Sequence, residues 1–294
     1  LASGGPLVPL PAAAIPTARV QVIHNSADLA AATVDVWLNN TLLLDDFAFR
    51  TASPFVDLQA GVDLTVGVAP ASSDDPSDAI AQFTYNLAEG ETYVLVANGI
   101  VSGSGYTPNV PFNILVQAGA REAATSGASN TDLLVFHGCT DAPTVDVAET
   151  AVLGGVTLVD NLSYGSFAGY LEVPTADYAL QVQDENGNEL VNYLAPLASL
   201  GLSGAALTVV ASGFLDPSAN SSGPGFGLWA ALATGGALVE LPLATSVQEQ
   251  QNDLLSAAWP NPANDVLHLV LAAHGDAIAR VEVLDASGRV LTDR

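Results

Sequence analysis

Arg19-Val20-Gln21-Val22-Ile23-His24-Asn25-Ser26-Ala27-Asp28, followed by Thr33-Val34-Asp35-Val36-Trp37-Leu38, returns further along the chain. The second copy reads Asp132-Leu133-Leu134-Val135-Phe136-His137-Gly138-Cys139-Thr140-Asp141, followed by Thr144-Val145-Asp146-Val147. In each copy a short apolar run ends in His, an Asp follows four residues later, and a Val-Asp-Val strand comes next. A self-similar stretch of this kind is one structural unit used twice, and the duplication decides the architecture before any local pattern does.

Around each copy the same parts recur. Val20, Val22 and His24 share one face of a strand, as do Val34, Val36 and Leu38, while Asp35 and Trp37 point the other way. Asn39-Asn40 reads as a turn, and Leu64, Val66 and Val68 alternate in a further strand. In the second copy Tyr170-Leu171-Glu172-Val173 answers Phe55-Val56-Asp57-Leu58, and Asn186-Gly187 reads as a two-residue hairpin turn. Seven or so short strands per copy, spaced by roughly 8–12 residues with turn chemistry between them, predict an all-β chain of two tandem immunoglobulin-like β-sandwiches. The predicted organisation is an extended apolar N-terminal tail over 1–17, sandwich repeats over 18–125 and 126–245, and a linker with a small, partial β domain over 246–294. Residues 121–130 are small and polar and read as the connection between the repeats.

Composition narrows the function classes. The 294 residues include six Arg, no Lys and 31 acidic residues, for a net charge of -25, which repels nucleic-acid backbones and anionic membrane surfaces. No apolar run reaches the roughly 20 residues of a membrane helix, so insertion into a bilayer is not expected. The chain starts at Leu1 and has no Met, as expected of a product exported with its signal peptide removed. Its one cysteine, Cys139, reads as a small buried hydrophobe beside a strand end.

The duplicated unit, with Val22-x-His24-x-Ser26-x-Asp28 in one copy and Asp141-Ala142-Pro143-Thr144-Val145-Asp146-Val147 in the other, resembles the bacterial extracellular family catalogued as domain of unknown function 4397. That resemblance implies a secreted β-sandwich. The second copy carries Gly138-Cys139 where the first has Asn25-Ser26. The stretch from Trp259-Pro260-Asn261-Pro262-Ala263 to Asp285-x-x-Gly288-Arg289 looks like part of a C-terminal sorting domain of the type IX (Por) secretion system of Bacteroidetes and relatives. It implies export across the outer membrane and an extracellular or outer cell-surface location.

His24/Asp28 and His137/Asp141 form the repeated polar constellation. Two ligands per copy fall short of a closed metal site and no nucleophile recurs beside them, so a structural role is expected, the ring bonded by the carboxylate or by backbone to hold the turn. Asp74, Asp75 and Asp78, and separately Asp184, Asn186 and Asn188, offer oxygen ligands of the kind calcium prefers, though solvated turns are the reading expected first. Gly-rich phosphate loops, His-Glu-x-x-His and Gly-x-Ser-x-Gly are absent from the sequence. No enzymatic activity and no cofactor are therefore expected, calcium aside.

The function this points to is a secreted structural subunit of an extracellular filament or cell-surface assembly. An apolar extended tail and an unfinished C-terminal sheet are complementary, so a tail strand of one copy can add to the open edge of the next, giving a head-to-tail homopolymer. The residues expected to carry the contact are Leu7, Val8, Leu10 and Ile15 in the tail, with Val266, Leu267, Leu269, Val281 and Val283 in the acceptor. A second expectation is an adhesin or carbohydrate-binding module whose partner is a surface glycan, stacked on Trp37, Trp229 and Tyr106.

Overall fold

The structure is a computed structural model that describes residues 14–244 and, beyond them, the backbone of four short strands. Two compact units are present, Leu1–Ala244 and Thr245–Arg294. Both are built of β-strands.

In the first repeat the strands are β1 (Thr17–His24), β2 (Thr33–Leu38), β3 (Thr41–Ala48), β4 (Thr51–Ala52), β5 (Val56–Gln59), β6 (Asp63–Pro70), β7 (Ala81–Asn86), β8 (Thr92–Asn98) and β9 (Asn113–Ala118). The second repeat supplies β10 (Asn130–His137), β11 (Val145–Glu149), β12 (Val156–Leu162), β13 (Phe167–Pro174), β14 (Asp177–Asp184), β15 (Glu189–Pro196), β16 (Ala206–Ser212), β17 (Gly227–Leu232), β18 (Gly236–Ala237) and β19 (Val239–Glu240). Both turns read from the sequence form: Asn39 adopts φ 53° between β2 and β3, and Gly187 adopts φ 78° between β14 and β15.

Each repeat is a sandwich of two sheets. β3-β2-β6-β7 faces the sheet built on β1, β8 and β9, and β12-β11-β14-β15 faces β13-β10-β16-β17-β19. In both, the strand that ends in His runs parallel to a later strand, with His24 opposite Ala97 and His137 opposite Ala211. Val20, Val22, Val36, Val66 and Leu95 fill the first core, and Leu133, Val145, Val182, Val209 and Leu228 the second.

A third apolar core lies between the repeats. Ile23, Val94 and Val96 of the first meet Leu134, Phe136, Val210 and Ala231 of the second, so the His-bearing sheets pack against each other. The four sheets therefore stack in layers, and the two inner sheets are buried on both faces. This accounts for the near-continuous apolar runs of β8, β10 and β16, the pattern of strands with no solvent face. Gln21, the polar residue of β1 on this seam, donates its amide to the carbonyls of Ser53 and Leu232 at 2.9 and 2.8 Å.

The chain also laces the two inner sheets together. β18, from the end of the second repeat, pairs with β4 of the first, and β19 returns to β17. Gly235 makes the crossing possible: with φ 69°, a Cβ there would lie 2.4 Å from the Pro54 nitrogen. The stretch read as a linker is a packed connection, where Arg121 N–H donates to the Tyr170 hydroxyl, Ala124 N–H to the Gly204 carbonyl and Thr125 N–H to Asp132.

In the unit Thr245–Arg294, Leu255–Trp259 pairs antiparallel with His268–Leu271, and Glu282–Leu284 with Val290–Asp293. Leu269 lies opposite Ala258 and Val283 opposite Thr292. Leu7, Val8, Leu10, Val266, Leu267 and Val281 lie outside the described residues.

Candidate functional site

The repeated His and Asp sit where the inner strands end and the chain turns toward β2 or β11. Both imidazoles are fully buried. The Nε2 of His24 lies 2.7 Å from the Ala31 carbonyl and that of His137 lies 2.9 Å from the Pro143 carbonyl. A carbonyl only accepts, so each Nε2 carries the proton and donates. Each ring thus ties its strand to the loop that enters the next one. Burial pushes His24 down to about 4, against the smaller upward effect of its bond to Ala31, and burial lowers His137 as well. Phe47 stacks tilted beside His24 at 5.8 Å, and Phe49 meets it edge-on at 6.2 Å.

Neither carboxylate bonds its histidine. Asp28 instead accepts from the backbone N–H groups of Ala30, Val101 and Ser102 and from the hydroxyls of Ser102 and Tyr106, at 2.7 to 3.0 Å. Asp141 accepts from the N–H groups of Leu215 and Asp216, the Asn220 amide and the Cys139 thiol. The pair Leu215/Asp216 follows β16 as Val101/Ser102 follows β8, so the two carboxylates do the same work: each pins the His loop to the loop after the parallel strand. Burial alone would raise the Asp28 carboxyl, but the hydrogen bonds from Ala30, Ser102 and Tyr106 outweigh it and hold it below its ordinary value. Burial first, then the neighbouring Asp141 carboxylate, pushes the Cys139 thiol well up, which makes it a poor nucleophile.

The seam between the repeats is polar at this end. Asn25 donates to Asn98 Oδ1 and to the Ala211 carbonyl, and Asn98 donates to the Gly138 carbonyl and the Tyr164 hydroxyl. The donors belong to the first repeat, and the second presents backbone carbonyls and the Tyr164 hydroxyl. Gly138 replaces an asparagine for a steric reason: a Cβ at 138 would come 2.1 Å from Asn25 Nδ2. Arg50 completes the seam, donating to Ser212 Oγ and to the carbonyls of Ser212 and Gly225, its guanidinium 4.2 Å above the Trp229 ring. Arg19 pairs with Glu122 at 2.7 Å, and Arg121 pairs with Asp132 at 2.7 Å and Glu172 at 2.6 Å. All three arginines of the described residues thus serve the junction or the connection between the repeats.

The acidic clusters read from the sequence are closed turns. Asp75 caps a short 3-10 turn while Asp78 accepts from the Asp74 and Asp75 N–H groups. Asp184 accepts from the N–H groups of Asn186 and Asn188 and from the Asn188 amide. A further cluster, Asp35, Asp45 and Asp46, has carboxylate oxygens within 4.8 Å of one another. Its buried member, Asp35, accepts from Asp46 N–H and Ser73 Oγ, so the loop carrying Ser73 covers the strand face that Asp35 and Trp37 share. The repeated Val-Asp-Val was the signal for it, since Asp146 likewise accepts from Asn161 N–H.

The aromatic residues expected to stack on a sugar are engaged elsewhere. Trp37 and Tyr106 are buried, with the Trp37 Nε1–H on Ser73 and the Tyr106 hydroxyl on Asp28, and Trp229 lies under Arg50.

No curated protein matches the sequence. Among solved structures, a streptococcal virulence factor reported to bind alpha-glucan aligns at 8% identity and TM-score 0.21, over 65% of this chain and 92% of its own. The Bacillus anthracis TIE protein aligns at 10% identity and TM-score 0.20, over 68% of this chain and 33% of its own. The family described as "Domain of unknown function (DUF4397)" matches residues 18–128 and again 131–221, the two units that share the His, the Asp and the parallel strand pair. The chain belongs to this family and carries it in two adjacent copies.

Proposed function

We propose that the chain is a non-catalytic structural protein that works outside the cell, exported after removal of a signal peptide, and that it joins copies of itself head to tail by strand addition. The observation that carries this function is the make-up of the C-terminal unit. Its described strands form two separate two-stranded ladders, with no third strand on either among the described residues. Two-stranded ribbons are marginal in water, and their unpaired edges are templates for a further strand. On the other side, Ile15, the donor residue that lies within the described residues, holds its side chain 67% exposed. A non-catalytic role is supported by the repeated polar groups: each imidazole donates its Nε2 proton to a loop carbonyl and each carboxylate accepts from loop backbone N–H groups inside the fold. A glycan partner lacks comparable support, because Trp37 and Tyr106 are buried.

The test compares the full chain with a chain lacking residues 1–17 by sedimentation velocity and negative-stain microscopy. The full chain is expected to form concentration-dependent head-to-tail oligomers and the truncated chain to remain monomeric. Equal assembly of both would show the tail is not the donor.

A further inference from the structure

The two sandwiches share one topology but not one core, and the register identifies where they part. β6/β7 and β14/β15 align strand for strand: Val68 opposite Ala81 and Leu64 opposite Tyr85 in the first repeat match Val182 opposite Val191 and Tyr178 opposite Ala195 in the second. Tyr85 therefore occupies the place that Ala195 holds. Tyr93, opposite Val20, matches Leu207, opposite Leu133. Val116, opposite Leu95, matches Ala230, opposite Val209. Two positions that are tyrosine in the first copy, and a third that is the 38% exposed Val116, thus carry smaller side chains in the second copy. In the first copy Tyr85 spans the gap between sheets and donates its hydroxyl to the Ile114 carbonyl, while Tyr93 accepts from Ala88 N–H. The tyrosine the second copy gains, Tyr178, does not refill the space, because its hydroxyl turns to the Pro174 carbonyl at the rim.

The space left behind is a cavity of about 110 Å³ lined by Leu133, Ala195, Leu197, Leu207, Val209 and Ala230, among other mostly apolar residues. Leu200, 51% exposed, stands at its rim. The ionisable residue of the lining is Glu240, whose Oε1 lies 3.7 Å from where a Cβ on Gly227 would stand. With these walls a bound water would lack the two or more polar partners it needs, so the cavity stays dry. A dry apolar cavity of about 150 Å³ admits benzene or xenon, and this one is of the same order.

We infer that the second sandwich binds a small neutral apolar molecule of about ring size between its sheets, in the space that Tyr85 and Tyr93 occupy in the first. An anionic ligand is excluded, since the apolar wall does not compensate the loss of its hydration and the ionisable residue of the wall, Glu240, is itself acidic. The site distinguishes the two copies functionally: the first sandwich keeps between its sheets a cavity of about 30 Å³, too small for a ring, and the second keeps a place for a guest.

The test uses the full chain with labelled methyl groups, titrated with benzene and followed by NMR. The methyl resonances of Leu207, Val209 and Leu241 are expected to shift saturably, and those of Val66 and Leu95 in the first sandwich to stay in place. Ala195→Leu and Ala230→Val, which return volume to the cavity, are each expected to weaken benzene binding at least tenfold, and either variant suffices if the other does not fold. Benzoate is expected to bind at least tenfold more weakly than benzene in the intact chain. Unmoved Leu207, Val209 and Leu241 methyls, or unchanged affinity in the filled variants, would overturn the site; equal binding of benzoate would overturn its neutral ligand class.

Discussion

Acid should loosen this protein through its buried histidines before it touches the carboxylates. His24 is fully buried, donates from Nε2 to the Ala31 carbonyl and is pushed down to about 4 from an ordinary 6.5. The folded state therefore holds the ring neutral, while the unfolded chain takes up a proton near pH 6.5. Stability is fully present above that value and is lost as pH falls toward 4. At about 1.36 kcal/mol per pH unit, the gap corresponds to about 3 kcal/mol in total, of which about 2 kcal/mol is gone by pH 5. His137 is lowered in the same direction and steepens the slope. Asp28, Asp132 and Glu149 are all held below their ordinary values, so their contribution is lost only below about pH 5 and stays out of the range between pH 7 and 5. The net charge of -25 works the other way, because acid relieves self-repulsion, and about 0.5 M salt suppresses that effect by shortening the screening length. The assay is urea unfolding at pH 7, 6 and 5 in such salt, read by tryptophan fluorescence. His24→Gln keeps a donor for Ala31 and removes the proton, so its stability should fall less steeply between pH 7 and 5 by about one proton's slope. A flat wild-type profile over this range would refute the assignment of a buried neutral imidazole.

Gly138→Ala forces a Cβ to within 2.1 Å of Asn25 Nδ2, 2.8 Å of the Ala211 carbonyl and 2.9 Å of Phe136, and should cost about 3 kcal/mol in urea unfolding. Adding Asn25→Gly removes the closest of these contacts and should recover part of the loss; a Gly138→Ala protein as stable as the parent would contradict the packing of the seam. Glu149, fully buried in β11, accepts from the N–H groups of Ala151, Val152, Leu153 and Ala179. Glu149→Gln turns an amide NH2 toward these donors and should cost about 2–3 kcal/mol, seen as a lower melting temperature and faster hydrogen exchange over residues 150–155.

Much of the fold was legible in the chain because it rests on local periodicity. The alternation of Val20, Val22 and His24, the turns at Asn39 and Gly187 and the return of the His-Asp-Val-Asp-Val order are properties of consecutive residues, and the strands form where they indicate. The sequence also left two bonding options for His24 and His137, a carboxylate or backbone, and the rings are found on the backbone carbonyls of Ala31 and Pro143. Which of the two each ring takes was not legible. Whether a ring bonds the Asp four residues on or a carbonyl in the next loop depends on how the turn closes, and Asp28 finds its donors near residue 101, far along the chain.

By itself the sequence determined that this is a duplicated all-β chain, acidic and poor in cations, since strand period, turn residues and net charge are additive over neighbours. Tertiary structure decided that the repeats are fused through their inner sheets, that Asn25 and Arg50 reach across to the backbone of the second copy, and that Ala195 leaves a cavity where Tyr85 fills one. Packing between sheets compares residues more than a hundred positions apart, and no local pattern in either copy records what the other places opposite it.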